Sequence, residues 1–415
     1  MKTAAKIVSA FVGAVAEMQG LDGPFSFHEK LLQKIWRDSD FEEAQAATAD
    51  GRTVRVLHPG KWNLLGGPDF KAARLRLGRV EVTGDVELHL RAGDWSAHAH
   101  AADPAYDHVV LHVILFPAAE KFSRGRDGRR IPVLALLPLL HRGLEEYAAE
   151  DAVEALAGRP ASQVLDELGP LPPDALDALL RHHAGTRWRQ KVHFARVRLE
   201  RLGWNGACHH AALEILGYRF NRAPMLRVAS ARPLSDWRAG EGTAAEAFAV
   251  ERGRWSLQGV RPANHPQSRL RQYAAWVGAR SDWPERLAGF ARALPPLEAG
   301  AAGASTADFR RARALGRLRA RIAAEVCGGA VGGTRLDNLV CDGFWPLLAA
   351  RGAGELLPWW FHWPAGDLPV QVTGALRALG VFTGRGRPAC HGLAQGLIGW
   401  QLAREDSRGL RGCGT

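Results

Sequence analysis

Asp69, Glu87 and His89 are the residues of this chain whose types and spacing suit hydrolytic chemistry. Glu87 and His89 stand two apart in Val86-Glu87-Leu88-His89-Leu90, an alternating stretch that reads as a strand. Side chains alternate along a strand, so Glu87 and His89 share one face and Val86, Leu88 and Leu90 the other. Asp69 lies upstream by the length of a strand, a tight turn at Gly78-Arg79 and a return strand. That spacing brings Asp69 beside Glu87, so two carboxylates and a nitrogen base converge. Paired oxygen ligands suit Mg²⁺ or Mn²⁺. A water on such a cation is acidified into a nucleophile, and His89 can exchange the proton.

Pro68-Asp69 followed by Glu87-Leu88-His89 resembles the Pro-Asp…(Asp/Glu)-x-Lys signature of the restriction-endonuclease-like nucleases. The resemblance implies that Asp69 and Glu87 hold a divalent metal, with His89 where the superfamily has a lysine. It also implies a glutamate from the first helix at the metal, which here is Glu29, and Lys61 is the nearest upstream lysine for the missing role. Glu29 has a second reading, because Ser26-Phe27-His28-Glu29 is a capping box.

A wider set of motifs is similar to a bacterial family designated domain of unknown function 2851. It comprises His58-Pro59-Gly60-x-x-Asn63, Gly67-Pro68-Asp69-Phe70, Gly84-Asp85-Val86-Glu87-x-His89, Asp94-Trp95-x-x-His98-x-His100 and Leu111-His112-Val113. Leu216-Gly217-Tyr218-x-x-Asn221 and Arg261-Pro262-x-Asn264-x-Pro266-x-x-Arg269-Leu270 extend it. It implies no activity.

Two other readings compete. His58, His89, His98, His100 and His112 suit a zinc-dependent hydrolase, with Asp94 or Asp103 completing the ligands. In that reading His98 and His100 face one side only if their segment is extended. His112, inside an apolar strand, reads equally as a satisfied core histidine. The last reading is an inactive nucleic-acid-binding or assembly module on a nuclease-like fold.

The elements that position these residues run in order. A helix carries Leu31, Leu32, Ile35 and Trp36 on one side. Val54–Leu57 is a strand, Phe70–Leu77 and Val80–Val82 form a hairpin, and apolar Val109–Phe116 reads as a central strand covered on both faces. Asp94–His100 reads as one helical turn and a loop between the Glu87 strand and the last one. The expected fold is a restriction-endonuclease-like α/β mixed sheet over residues 25–140. A mainly helical region follows over 141–405, with a tail at 406–415. Within it, helices are predicted at 143–156, 173–182, 187–202, 206–216 and 307–325, the second last stopped by Gly217. Arg187–Lys191 with Arg196, Arg198 and Arg201 reads as a solvated basic face.

Composition bounds the partners. The formal net charge is +11, with 47% hydrophobic and 23% charged residues over 415. A basic globular protein favours a polyanion such as nucleic acid. Arg74, Arg76, Arg126 and Arg129 are the contacts expected nearest the cleft, the last two in the Ser123–Arg130 loop. Five scattered cysteines lack metal or redox spacing and suit a reducing compartment. Residues 1–24 read as a mis-assigned start or a short secretory signal, and the cytoplasm is the expected location. No later stretch is long and apolar enough to span a bilayer.

Overall fold

The computed structural model describes residues 29–412 apart from 64–65, 141–143, 145–146, 149–150, 153–160, 241–242, 254, 258–259, 261, 298–300 and 385. Ser26 of the expected capping box, the N-terminal apolar run and most of the helix expected at 143–156 lie outside the described residues. The chain divides into two compact units. One runs to Ala148 and takes in residues from Asp406 on, and the other spans Ala149–Glu405.

The first unit is built on a seven-stranded mixed sheet. Its strands are β1 (Val54–His58), β2 (Lys61–Trp62), β3 (Phe70–Leu77), β4 (Val80–His89), β5 (Val109–Ile114), β6 (Phe122–Arg124) and β7 (Arg130–Ala135). The spatial order is β1-β3-β4-β5-β7-β6, with β2 also on β3. β3 and β4 form an antiparallel hairpin, while β4–β5 and β5–β7 are parallel. Gly78 opens the two-residue hairpin turn at φ 63°, a value glycine adopts without strain. Helix α1 (Glu29–Arg37) places Leu31, Leu32, Ile35 and Trp36 in one core with Val86, Leu88, Leu111, Val113 and Leu134. Val86 and Leu88 therefore point toward α1, as alternation requires, and Glu87 and His89 point the other way.

Two irregularities shape that other face. β3 carries a bulge, since Phe70 pairs Val86 but Ala73 pairs Gly84. Ala72 within it has φ 54°, unusual for a residue with a Cβ. The extra residue switches parity along β3, so Phe70 is buried with Ala73, Leu75 and Leu77. Further on, Gly84 lets β5 approach. A Cβ there would lie 2.3 Å from a Val110 methyl and 2.7 Å from the His108 carbonyl oxygen.

A short connector joins the parallel strands β4 and β5. It consists of the single turn α2 (Asp94–Ala97) and two 3₁₀ turns, His100–Ala102 and Pro104–Tyr106. Its Trp95 and Tyr106 form a small separate core with Val109 and Ile131.

The second unit is mainly helical, with a core rich in tryptophan that includes Trp276, Trp283, Trp345, Trp359, Trp360 and Trp363. Several expectations change here. The three helices expected between 173 and 216 are one helical run, Pro173–Leu216, broken only at Gly203 (φ 65°, ψ 176°). Gly185 does not interrupt it, because one glycine costs a helix only about 1 kcal/mol. The helix expected at 307–325 is instead divided by Ala314 at φ 44° into Thr306–Ala312 and Leu315–Arg321, with a π turn after it. The basic face expected on 187–201 is not all solvated. Arg187 is buried against Gln395, Lys191 pairs with Asp342 at 3.0 Å and Arg198 with Glu214 at 2.6 Å. Residues 359–363, an aromatic run expected to pack between helices, are buried as that reading requires. Among the described residues, no helix is long and apolar enough to cross a membrane.

The close β4–β5 approach makes a direct prediction. Gly84→Ala must push a backbone carbonyl or separate the two strands, and should destabilise the sheet by about 1–3 kcal/mol. Urea unfolding followed by intrinsic fluorescence measures this; an unchanged midpoint would contradict the stated approach.

Candidate metal centre

The carboxylates are placed by backbone bonds across the β3–β4 hairpin. The Asp69 amide donates to Glu87 Oε2 at 3.0 Å, and the Leu88 amide donates to Asp69 Oδ2 at 3.0 Å. Gln33 of α1 donates to Asp69 Oδ1 at 2.6 Å and itself accepts from the Trp62 indole at 3.1 Å. Asn63 closes the preceding loop, its amide group donating to the Gly66 and Pro68 carbonyls and its backbone N–H to the Asp69 carbonyl. Glu29 lies on the same helical face as Gln33, one turn earlier, and interacts electrostatically with Asp69, Glu87 and Asp94.

Burial and mutual repulsion dominate the electrostatics. The Glu29 carboxyl is pushed up to about 8, first by burial and then by Asp69 and Glu87. Asp69 is raised to about 7 by burial and then by Glu87. Glu87 is raised to about 7 by burial. Removing a carboxylate from water favours its neutral form, and a like charge adds to that.

The histidines stand beside the carboxylates. His89 Nε2 lies 3.2 Å from His98 Nδ1 and 3.2 Å from His100 Nε2. Glu87 Oε1 is 3.5 Å from His89 Nε2 and 3.3 Å from His100 Nε2. Behind them, His89 Nδ1 meets His112 Nε2 at 2.9 Å and His112 Nδ1 meets Ser123 Oγ at 2.6 Å. His112 is fully buried and hydrogen-bonded at both ring nitrogens, as a satisfied core histidine is. Burial pushes His89 down to about 2 and His112 to about 3, with neighbouring imidazoles adding to each.

His98 and His100 do not converge through an extended segment, as alternation alone requires. Ala99 between them takes a left-handed conformation (φ 57°, ψ 27°), which turns both rings to one point. Tyr106 stacks on His100 with ring centroids 3.8 Å apart, and Trp95 packs edge-on against it.

The remaining sequence candidates stand apart. His58 is exposed and its Nδ1 accepts from the Gly60 amide. Lys61 is exposed opposite Lys71 on β2, so the whole of β3 separates it from β4. The lysine at the site is Lys71, which donates to Asp85 at 3.1 Å. Asp94 accepts from the Arg91 amide and Asp103 from the Ala105 amide, each closing its own turn. Arg74 is exposed on β3 beyond the bulge, Arg76 pairs with Glu81, and Arg126 and Arg129 both bond to Asp107. Gln33, Lys71, Asp85 and Ser123 were not anticipated. The helical spacing of Glu29 and Gln33 was the available signal for Gln33.

A family model described as a protein of unknown function, DUF2851, matches residues 29–250, which take in every residue of this centre. No curated protein and no solved structure matches the chain.

The raised carboxyls carry a sign for stability. A group whose folded pKa is raised contributes stability that is complete below its ordinary value and is lost as pH rises through the folded one. His89 and His112 are depressed, so they act only below about 6.5, where stability falls with falling pH. Above that, the carboxyls act alone. With metal chelated, protection of the β4 amides should fall through pH 7 to 8, the range to which Asp69, Glu87 and Glu29 are raised. The fall should shrink in Asp69→Asn. Hydrogen exchange read by mass spectrometry, corrected for the intrinsic rate, tests this in the first unit alone. Flat protection across that range would contradict it.

Proposed function

We propose that this chain, which belongs to the DUF2851 family of proteins of unknown function, is a metal-dependent phosphodiesterase that cleaves nucleic acid. One observation carries the reading. Asp69 and Glu87 are held side by side by each other's strand, with Glu29 adjacent, and all three carboxyls are strained toward protonation. One buried and two half-buried carboxyls, drawn together with little positive charge between them, suit a hard divalent cation, Mg²⁺ or Mn²⁺. Such a cation, when bound, supplies an acidified water and charge for the phosphoryl oxygens.

The chain's own groups then divide the work. Asp69 and Glu87 hold the cation, Asp69 fixed by Gln33 and the Leu88 amide. Glu29, whose raised carboxyl would be lowered by a cation between Asp69 and Glu87, is the group placed to take the proton of the attacking water. Burial and neighbouring imidazoles disfavour the protonated form of His89, so it is a poor acceptor for that proton. The order helix, strand, hairpin, crossover and parallel strand supports the nuclease-like reading, with a connector of short turns in place of the crossover helix. The net charge of +11 supports a polyanionic substrate.

The test is cleavage of labelled single- and double-stranded DNA and RNA in Mg²⁺ or Mn²⁺. Asp69→Asn should lose Mn²⁺ binding, read by calorimetry. Glu29→Gln should keep that binding while its kcat falls by about 10²–10⁴-fold. No cleavage of any substrate by wild type, or full activity in Asp69→Asn, would sink the proposal.

A further inference from the structure

We infer that the first unit holds a second metal site, a three-histidine centre for a zinc-type transition-metal ion made by His89 Nε2, His98 Nδ1 and His100 Nε2. It rests on different atoms from the Asp69 side of the cleft. Glu87 joins the two, with Oε1 toward the imidazoles and Oε2 on the Asp69 amide.

Geometry is the first argument. The three histidine nitrogens lie within 4.8 Å of one another. Two of the three nitrogen–nitrogen separations are 3.2 Å, and Glu87 Oε1 stands beside the group at 3.3 Å from His100 and 3.5 Å from His89. A tetrahedron with Zn–N and Zn–O bonds of about 2.0–2.1 Å has edges of about 3.3–3.4 Å. His89 Nε2 already stands at such an edge length from both His98 Nδ1 and His100 Nε2, which leaves the fourth corner open.

Hydrogen-bond supply is the second. When His112 donates from Nδ1 to Ser123 Oγ, its Nε2 accepts from His89 Nδ1–H. A neutral His89 then has no proton at Nε2. That bare lone pair, 1% exposed, faces two imidazole nitrogens and a carboxylate oxygen. It can accept one N–H, and in this tautomer the 3.5 Å contact with Glu87 Oε1 is left between two lone-pair atoms. A cation at their centre removes the conflict. The Ser123–His112–His89 chain is also the outer support that orients a metal-binding imidazole and fixes its tautomer.

Backbone cost is the third. Ala99 is held at φ 57°, and this conformation is what lets His98 and His100 meet. Strain at a residue with a Cβ persists where the surroundings impose it, and it clusters at ligand sites. Ring packing adds rigidity, since Tyr106 and Trp95 hold His100. The donor set favours zinc-type ions, because imidazole suits Zn²⁺ and Co²⁺ better than Mg²⁺.

The probe is Co²⁺, added to the full-length chain after chelator treatment and gel filtration. Tetrahedral Co²⁺ gives intense visible absorption, whereas octahedral Co²⁺ is pale. We expect one Co²⁺ per chain with intense bands, displaced by Zn²⁺. His98 is exposed, so His98→Ala should keep its far-ultraviolet circular dichroism while Co²⁺ affinity falls by more than about 100-fold. Ser123→Ala, which touches no ligand atom, should weaken affinity about 10–100-fold. Asp69→Asn should keep the bands, which separates this site from the hard-cation site; loss of nuclease activity alone leaves this expectation standing. Absent or pale bands in wild type, or bands unchanged in His98→Ala, would overturn the inference.

Discussion

Three carboxylates stand where the β3–β4 ladder fails to provide backbone acceptors. The bulge at Ala72 breaks regular pairing between Phe70 and Ala73. The amides of Asp69, Ala72 and Leu88 bond instead to Glu87, Asp85 and Asp69. A buried amide must find an acceptor, and a carboxylate is a strong one. The same arrangement draws the carboxylates out of water, which is costly without a compensating charge. Lys71 supplies that charge to Asp85, but it reaches Glu87 only through space. The device that completes the hairpin therefore leaves Asp69 and Glu87 short of a cation, and the rest of the centre is arranged around that shortage.

This history explains what was legible in the sequence. The placement of Asp69 beside Glu87 followed from hairpin length, and the shared face of Glu87 and His89 followed from strand alternation; both depend on spacing alone. The bulge is different. Phe70 to Leu77 alternates imperfectly as written, and only the pairing register shows that one extra residue switches the parity. Lys71 and Asp85 are not hidden by it: Lys71 stands two after Asp69 and Asp85 two before Glu87, so alternation alone puts both on the site face. Ala99 was illegible for a reason of its own. Alanine carries no preference for the left-handed region, unlike glycine or asparagine, so nothing in His98-Ala99-His100 signals the turn. An extended segment was the only local way to join the two rings, and tertiary packing supplied another.

The arginines show the opposite limit. Periodicity correctly marks helices in the second unit, but it does not say what packs against a basic face. Arg187, Arg198, Arg227, Arg319 and Arg335 are spent on internal partners, several of them buried. A guanidinium can do this because its planar fork satisfies several acceptors at once. Arg335, for example, bonds the Ile215 carbonyl and Asp367 while lying over the Tyr218 ring. Four of these pair with acids and so cancel within the net charge; they leave the +11 excess untouched but show that a basic helix need not be a surface for a polyanion.

The connector between β4 and β5 ties these threads together. Its turns put aromatic rings and imidazoles, rather than a helix, over the polar side of the sheet. Trp95 and Tyr106 shield the centre, and low-dielectric walls strengthen every interaction inside. Burial then moves the two kinds of group in opposite directions, with carboxyls raised toward 7 and 8 and imidazoles lowered toward 2 and 3. The result near neutral pH is a centre whose charge is largely suppressed on both sides: carboxyls partly protonated, imidazoles bare. Protons are the weakest way to satisfy such a set, since each serves one oxygen. A divalent ion serves several lone pairs at once, and the bare imidazole nitrogens are then ligands rather than unsatisfied acceptors. The same burial that makes the empty centre costly is what makes it selective for a cation.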